Sequence, residues 1–245
     1  MPEKPKRKPN NRIRLEKSSK TLEAATDKTR IKKGAKTEEV IQRLKEMIFF
    51  NQLAPGQKLI CSSLSAKLNV SATPLIQALN RLKAGGLVEY KLNRGYFVAE
   101  ISENEAKQLY HAREALEVYI IPAVIRNIDA HKISSITASF KRHRETNRNE
   151  LILTDATFHL KIAQYGENQV IYDLLKDIFE RIYIKYRTQY IDDNRIHEVV
   201  REHKMLLSAI NDKDEIRASE IVRAHLNNGL EHLIAWLRGR SSTFF

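Results

Sequence analysis

The chain has 245 residues, 42% of them hydrophobic and 29% charged, with a single cysteine and a formal net charge of +12. That length allows two modest domains with apolar cores. One cysteine excludes an internal disulfide framework and fits a reducing compartment; no apolar run is long enough to span a membrane, and the charged N-terminus lacks the apolar stretch of a secretory signal, so the expected location is cytoplasmic.

Residues 1–35 hold twelve Lys plus Arg against four Asp plus Glu, a local charge of +8. The stretch is rich in Pro, Asn, Ser and Lys and too poor in apolar residues to build a core, so a disordered basic tail is expected. Such a tail suits either nucleic-acid phosphates or plain solubility. From Thr37 the pattern changes, and Val40, Ile41, Leu44, Met47 and Ile48 at helical spacing predict a first helix. Pro55 and Gly56 end it in a turn, and residues 58–60 form a short extended piece. A second short helix covers 62–68 with Leu64 and Leu68 inward. Asn69-Val70-Ser71 then turns the chain, and Ser71 is placed to N-cap a third helix reaching about Gly85, with Leu75, Ala78, Leu79 and Leu82 on its core face. Two strand-like runs, 87–92 and 95–100, meet at Asn93-Arg94-Gly95 and predict a hairpin.

Helix, helix, turn, helix and hairpin over residues 36–100 make a winged helix-turn-helix domain. A major groove admits one helix, and a hairpin reaches the adjoining backbone or minor groove, so double-stranded DNA is the expected partner. With the leucines of the third helix committed to the core, Thr73, Ile76, Gln77 and Asn80 are left for the groove; Ser71, Arg81 and Arg94 complete the expected DNA-facing set. Without arginine at the groove positions, direct reading of guanine is weak and A·T-rich half-sites are favoured.

After residue 100 strand signals vanish. Apolar spacing predicts helices at about 102–127, 132–148, 150–165, 169–190, 195–211 and 213–238, with Pro122 kinking or breaking the first and Asn168 capping the fourth. An antiparallel all-helical bundle over 101–240 is the economical architecture, which makes the chain mainly α. Within 150–165, Asp155 and His159 lie one turn apart in an apolar pattern of Leu151, Leu153, Phe158, Ile162 and Ala163. Two later apolar helices each bring an imidazole, His203 and His225. Singly, each histidine reads as a satisfied core or surface residue; together, one carboxylate and three imidazoles form a set suited to zinc or nickel rather than magnesium. The other five histidines sit in polar surroundings and are expected to be solvated.

The runs LAPGQKL, LSAKLNVSATPLIQALNRLKAGGLVEY and NRGYFV resemble the winged-helix domain of the GntR family of bacterial transcription regulators. LYHAREALEVYI resembles the opening of the helical ligand-sensing (FCD) domain of the FadR-like subfamily, with Arg113, Leu116 and Glu117 at the characteristic spacing. Asp155, His159, His203 and His225 match the metal-binding version of that domain. The resemblance implies a homodimeric regulator, most often a repressor, in which a small carboxylate effector binds beside the metal; Arg113 and Asn168 are the effector-binding residues it suggests. The sequence departs from the family in the third helix, where Ala72 and Ile76 replace two arginines. Two other functions remain open: a nucleic-acid-associated protein with weakened sequence specificity, and a metal-dependent enzyme. The enzyme is disfavoured because four protein ligands tend to fill a structural site, and Glu202, next to His203, is expected to point away on its helix.

Overall fold

The computed structural model describes residues 37–50, 52–141, 148–185 and 193–241. The expected basic tail and His143 lie outside them, as do the side chains of Leu151 and Leu153. The N-terminal unit runs α1 (Thr37–Phe49), β1 (Lys58–Leu59), α2 (Cys61–Leu68), α3 (Ala72–Ala84), β2 (Val88–Lys91) and β3 (Gly95–Val98). Its core is the set the spacing predicts: Val40, Leu44, Met47 and Ile48 of α1 meet Leu64 and Leu68 of α2 and Leu75, Ala78, Leu79 and Leu82 of α3. The hairpin forms with Val88 opposite Val98 and Lys91 opposite Gly95. Asn93 and Gly95 turn it with φ of 57° and 88°, a region that glycine enters freely and asparagine at modest cost. The extended piece is a third strand. β1 pairs with β3, so β3 is the central strand, and β2 of the wing packs against α3.

Ser71 occupies the N-cap of α3 with extended backbone, yet its side chain makes no capping bond. The reason lies three residues on. A capping hydroxyl accepts from the N2 or N3 amide, and the N3 position here is Pro74, which has no N–H. The Ser71 hydroxyl is left exposed at the helix start.

The C-terminal unit is helical among the described residues: α4 (Glu103–Asn127), α5 (Ala130–Lys141), α6 (Arg148–Tyr165), α7 (Gln169–Lys185), α8 (Asp193–Asn211) and α9 (Glu215–Ser241). Ser102 caps α4 by accepting from the Glu105 amide at 3.1 Å, and α4 packs against α6, α7, α8 and α9 as the spine of the bundle. Pro122 does not end α4 as a break would. Proline removes one donor, but Ile120, Ile121, Val124 and Ile125 around it are all buried in the bundle core, and that packing carries the helix through. α5 begins earlier than the apolar spacing suggests, because Asp129 accepts from the Lys132 amide at 2.7 Å and caps it. Asp214 does the same for α9 through the Arg217 amide at 3.0 Å.

The two units meet along α7. Lys45 of α1 pairs with Glu180 at 2.5 Å; on the bundle side Ile101, Ala106, Leu109, Ile182 and Leu233 form a small apolar cluster, and the buried Lys185 of α7 pairs with Glu105 of α4 at 2.7 Å. Within the bundle Gly166 lies hard against Ile120: an added Cβ would stand 2.2 Å from its Cγ1. Ile120 is buried and cannot swing aside, so Gly166→Ala is expected to destabilise the fold by about 1–3 kcal/mol through overpacking. A thermal melt of the variant at or above the parent midpoint would contradict this packing.

Candidate metal centre and DNA-facing surface

α6 carries Asp155 and His159 at i and i+4, so both project from one face one turn apart. α8 and α9 bring His203 and His225 against that face. The three imidazoles are buried and Asp155 is half-buried. One donor atom from each of the four residues lies within 4.8 Å of every other. His159 Nε2 is 3.1 Å from His225 Nε2 and 3.2 Å from His203 Nε2. Asp155 Oδ1 stands 3.2, 3.7 and 3.9 Å from the Nε2 atoms of His203, His159 and His225. Ligand atoms about 2.0–2.1 Å from a tetrahedral zinc are separated by roughly 3.3 Å, so these edges suit such an ion.

The orientation of each ring has its own cause. His159 donates from Nδ1 to Glu117 Oε2 at 2.7 Å, and His225 donates from Nδ1 to Glu202 Oε2 at 2.7 Å. His203 is held by stacking on Phe158, with ring centroids 3.9 Å apart and planes 15° from parallel. A carboxylate accepting at Nδ1 leaves Nε2 as the lone-pair atom. The two Nε2 atoms stand 3.1 Å apart, a contact that is attractive with a proton shared between them or with a metal ion in its place. On that ground the donor set fits a divalent ion.

The electrostatics agree. Burial opposes charge on Glu117, but Arg113 and His159 hold its carboxyl down at about 2; burial likewise opposes charge on Glu202, while His225, Arg195 and Asn228 hold it at about 2. For His159 the burial penalty is outweighed by Glu117 and Asp155, which push it up to about 9. Burial pushes His203 down to about 3 and lowers His225. The pocket thus tolerates one positive charge at His159 and resists a second.

The sequence reading brings Asp155, His159, His203 and His225 together as the structure does, but it misses the two carboxylates behind them. Glu202 does point away from His203, as expected on one helix, and what it reaches instead is His225 on α9. The i, i+4 spacing of Arg113 and Glu117 does allow their pairing to be read from the sequence, and the pair forms; what the spacing does not report is that Glu117 also reaches His159. Arg113 is buried, its Nε 2.8 Å from Glu117 Oε1 and its guanidinium 4.3 Å from the Phe179 ring centroid. A small cavity beside the cluster is lined by Glu117, Ile120, Ile121, His159, Ile162, Ala163, Leu206 and Val222. Arg113 stands one layer behind that wall. Asn168 is exposed and caps α7, its Oδ1 accepting from the Ile171 amide at 3.1 Å.

On the opposite unit, Ser71, Thr73, Ile76, Gln77, Asn80, Arg81 and Arg94 are all exposed. Gln77 Oε1 accepts from the Thr37 hydroxyl at 2.9 Å, and Asn80 Oδ1 accepts from the Tyr96 hydroxyl at 2.8 Å. Arg81 pairs with Glu38, an exposed pair of small energy that a phosphate can displace. Ile76 remains 41% exposed in the middle of α3. Of the remaining histidines, His111, His131 and His197 are exposed and His232 is half-buried.

A winged helix presenting one exposed helix face, joined to a helical bundle with an Asp-His cluster, is the layout of a DNA-binding regulator. Residues 36–98 match the model for bacterial regulatory proteins of the gntR family, and residues 108–228 match that for the FCD domain. The chain belongs to the GntR family of DNA-binding transcription regulators and carries an FCD domain, which contains the whole four-residue cluster. It is 24% identical over 196 residues to the HTH-type transcriptional regulator YdhC of Bacillus subtilis (strain 168), covering 78% of this chain and 88% of that protein. It is 27% identical over 197 residues to the HTH-type transcriptional repressor GlaR of Escherichia coli (strain K12), covering 75% and 89%. The solved structure of E. coli McbR/YncC superposes with a TM-score of 0.70 at 18% identity over 82% of this chain and 98% of that one, a likeness of fold. These relatives are regulators and not enzymes. Among the described residues no helix is long and apolar enough to cross a membrane.

If the cluster holds a metal through rings fixed by carboxylates, zinc in excess raises the melting temperature of the parent protein, by about 2.7 kcal/mol of added stability at a hundredfold excess over Kd. His225→Ala is expected to abolish most of that rise, and Glu117→Gln to weaken zinc affinity roughly 10–100-fold in a chelator competition. Parent-like affinity in both variants would remove the cluster from consideration.

Proposed function

We propose that the chain acts as a homodimeric cytoplasmic repressor in which residues 36–100 bind the operator, residues 101–240 bind a divalent ion, zinc or nickel, through Asp155, His159, His203 and His225, and a small carboxylate effector beside that ion controls operator affinity. The observation that carries this reading is the convergence of three imidazole Nε2 atoms, two of them fixed by glutamates, next to an apolar cavity. Charge supports the anionic effector. With neutral imidazoles, Asp155, Glu117 and Glu202 contribute three negative charges, and Arg113 with Arg195 contribute two positive ones. A divalent ion makes this desolvated set net positive by one, a surplus that an anion relieves. Arg113, planar and two-pronged, is the residue able to exchange Glu117 for an incoming carboxylate, and Asn168 closes the nearby α6–α7 turn. The repressor role follows the relative GlaR, which is a transcriptional repressor.

For the operator, α3 offers a methyl-bearing Ile76 and the amide groups of Gln77 and Asn80, a set suited to thymine methyls and base-edge acceptors, without arginine for guanine. The preferred half-sites are A·T-rich, and Ser71, Thr73, Arg81 and Arg94 with the tail lysines hold phosphates.

The test is fluorescence anisotropy of labelled operator DNA against metal-loaded protein at fixed salt, with a panel of small acids. An effective acid lowers operator affinity in the parent protein and has at least tenfold less effect in Arg113→Lys, which keeps the charge and loses the fork; equal response in both would take Arg113 out of the effector site. Deleting residues 1–35 is expected to lower affinity for all sequences alike and flatten its salt dependence. Arginine at Ala72 and Ile76 together tightens binding and shifts the selected consensus toward guanine. A guanine-rich consensus for the unmodified chain would overturn the groove assignment.

A further inference from the structure

We propose that Arg195 is a positioning residue of the metal centre, acting through Glu202 to hold His225 in the tautomer and orientation that metal binding needs; the inference rests on reading the four-residue cluster as a metal site. Arg195 lies in the first turn of α8 and is 7% exposed. That is the wrong end of a helix for a cation, because the N-terminal turn is electropositive and favours anions. A buried arginine there needs a strong compensating partner. Glu198 is half-exposed, one turn away at 3.2 Å, and offers little. Glu202 supplies the grip: Arg195 Nη1 meets Oε1 at 3.0 Å and Nη2 meets Oε2 at 3.2 Å, a two-point fork reaching two turns along the helix.

The fork fixes the plane of the Glu202 carboxylate. Its Oε1 also accepts from Asn228 Nδ2 at 2.8 Å, and its Oε2 accepts from His225 Nδ1 at 2.7 Å. Without the arginine, the carboxylate can turn about its terminal bond and release Nδ1. The His225 proton is then free to sit on Nε2, where it points into the ligand set and blocks the ion. The same chain of groups occurs a second time in the fold: Arg113 Nε bonds Glu117 Oε1, and Glu117 Oε2 bonds His159 Nδ1. One series starts on α4 and ends on α6; the other starts on α8 and ends on α9. Both finish on imidazoles whose Nε2 atoms lie 3.1 Å apart.

The experiment is zinc affinity by chelator competition, with the visible spectrum of the Co(II)-loaded protein as a geometric readout, on full-length parent, Arg195→Met, Arg195→Lys and Glu198→Gln. Arg195→Met is expected to bind zinc at least tenfold more weakly and to alter the Co(II) bands. Arg195→Lys recovers part of the affinity, since a point charge holds the carboxylate at one oxygen rather than two, and Glu198→Gln stays within twofold of the parent. Arg195→Met within twofold of the parent, with unchanged Co(II) bands, overturns the inference while leaving the metal site intact. A parent protein that takes up neither ion overturns the metal reading and this inference with it. Should Arg195→Met fail to fold, Arg195→Lys decides: parent-like affinity and spectrum refute the role, and a weaker, spectrally shifted site supports it.

Discussion

Two imidazole nitrogens held 3.1 Å apart in a buried pocket are the constraint on which the bundle's interior depends. Such a contact is repulsive unless something positive lies between, and everything around it serves to keep it in place. Glu117 and Glu202 take the Nδ1 protons, Phe158 presses on His203, and buried arginines hold the glutamates. Removing one member of a buried charged set leaves its partner desolvated and uncompensated, at a cost of about 3–5 kcal/mol. The set is therefore coupled, and its members are non-additive in the sense that a change at one alters what the others contribute.

α7 is the element through which that interior touches the DNA-binding unit. Its Phe179 packs against Arg113 and lies 5.8 Å from the His159 ring, measured between centroids. The next residue, Glu180, reaches Lys45 of α1, and Arg181 lies over the Gly86 turn that leads from α3 into β2. One helix thus has the Asp-His cluster on one face and both α1 and the end of α3 on the other. Operator affinity can respond to a ligand only if the ligand binds two arrangements of this contact unequally, and a tenfold response needs about 1.4 kcal/mol of difference. Lys45–Glu180 is partly exposed and of that order at most, a size that lets the contact be remade.

Much of this was legible in the sequence because its strongest signals are periodic. The leucines of α3 at 75, 79 and 82 leave one face of that helix to the outside whatever the tertiary context, and the Asp-x-x-x-His spacing of α6 puts two donors on one side. What periodicity does not report is contact between helices distant in sequence. Glu202 looked misplaced beside His203 because adjacent helical residues diverge by about 100°, and the same divergence is what delivers it to α9. Pro122 carries the penalty of a missing donor in any sequence reading, yet the apolar residues on both sides of it offset that penalty once buried. The uncapped start of α3 was also readable, since Pro74 stands where the capping amide would be; Ser71 as a good N-cap is right about position and wrong about the bond.

The ligand set is assembled from helices that are far apart along the chain: His159 is 44 residues from His203 and 66 from His225. Closing loops of that size comes after local helix formation, so the full set exists only once α6, α8 and α9 have docked. A metal ion bound to it lowers the energy of the folded state while leaving the earlier barrier to folding nearly untouched, and the difference appears in the rate of unfolding. An ion bound there would thus lengthen the life of the folded chain by slowing its opening.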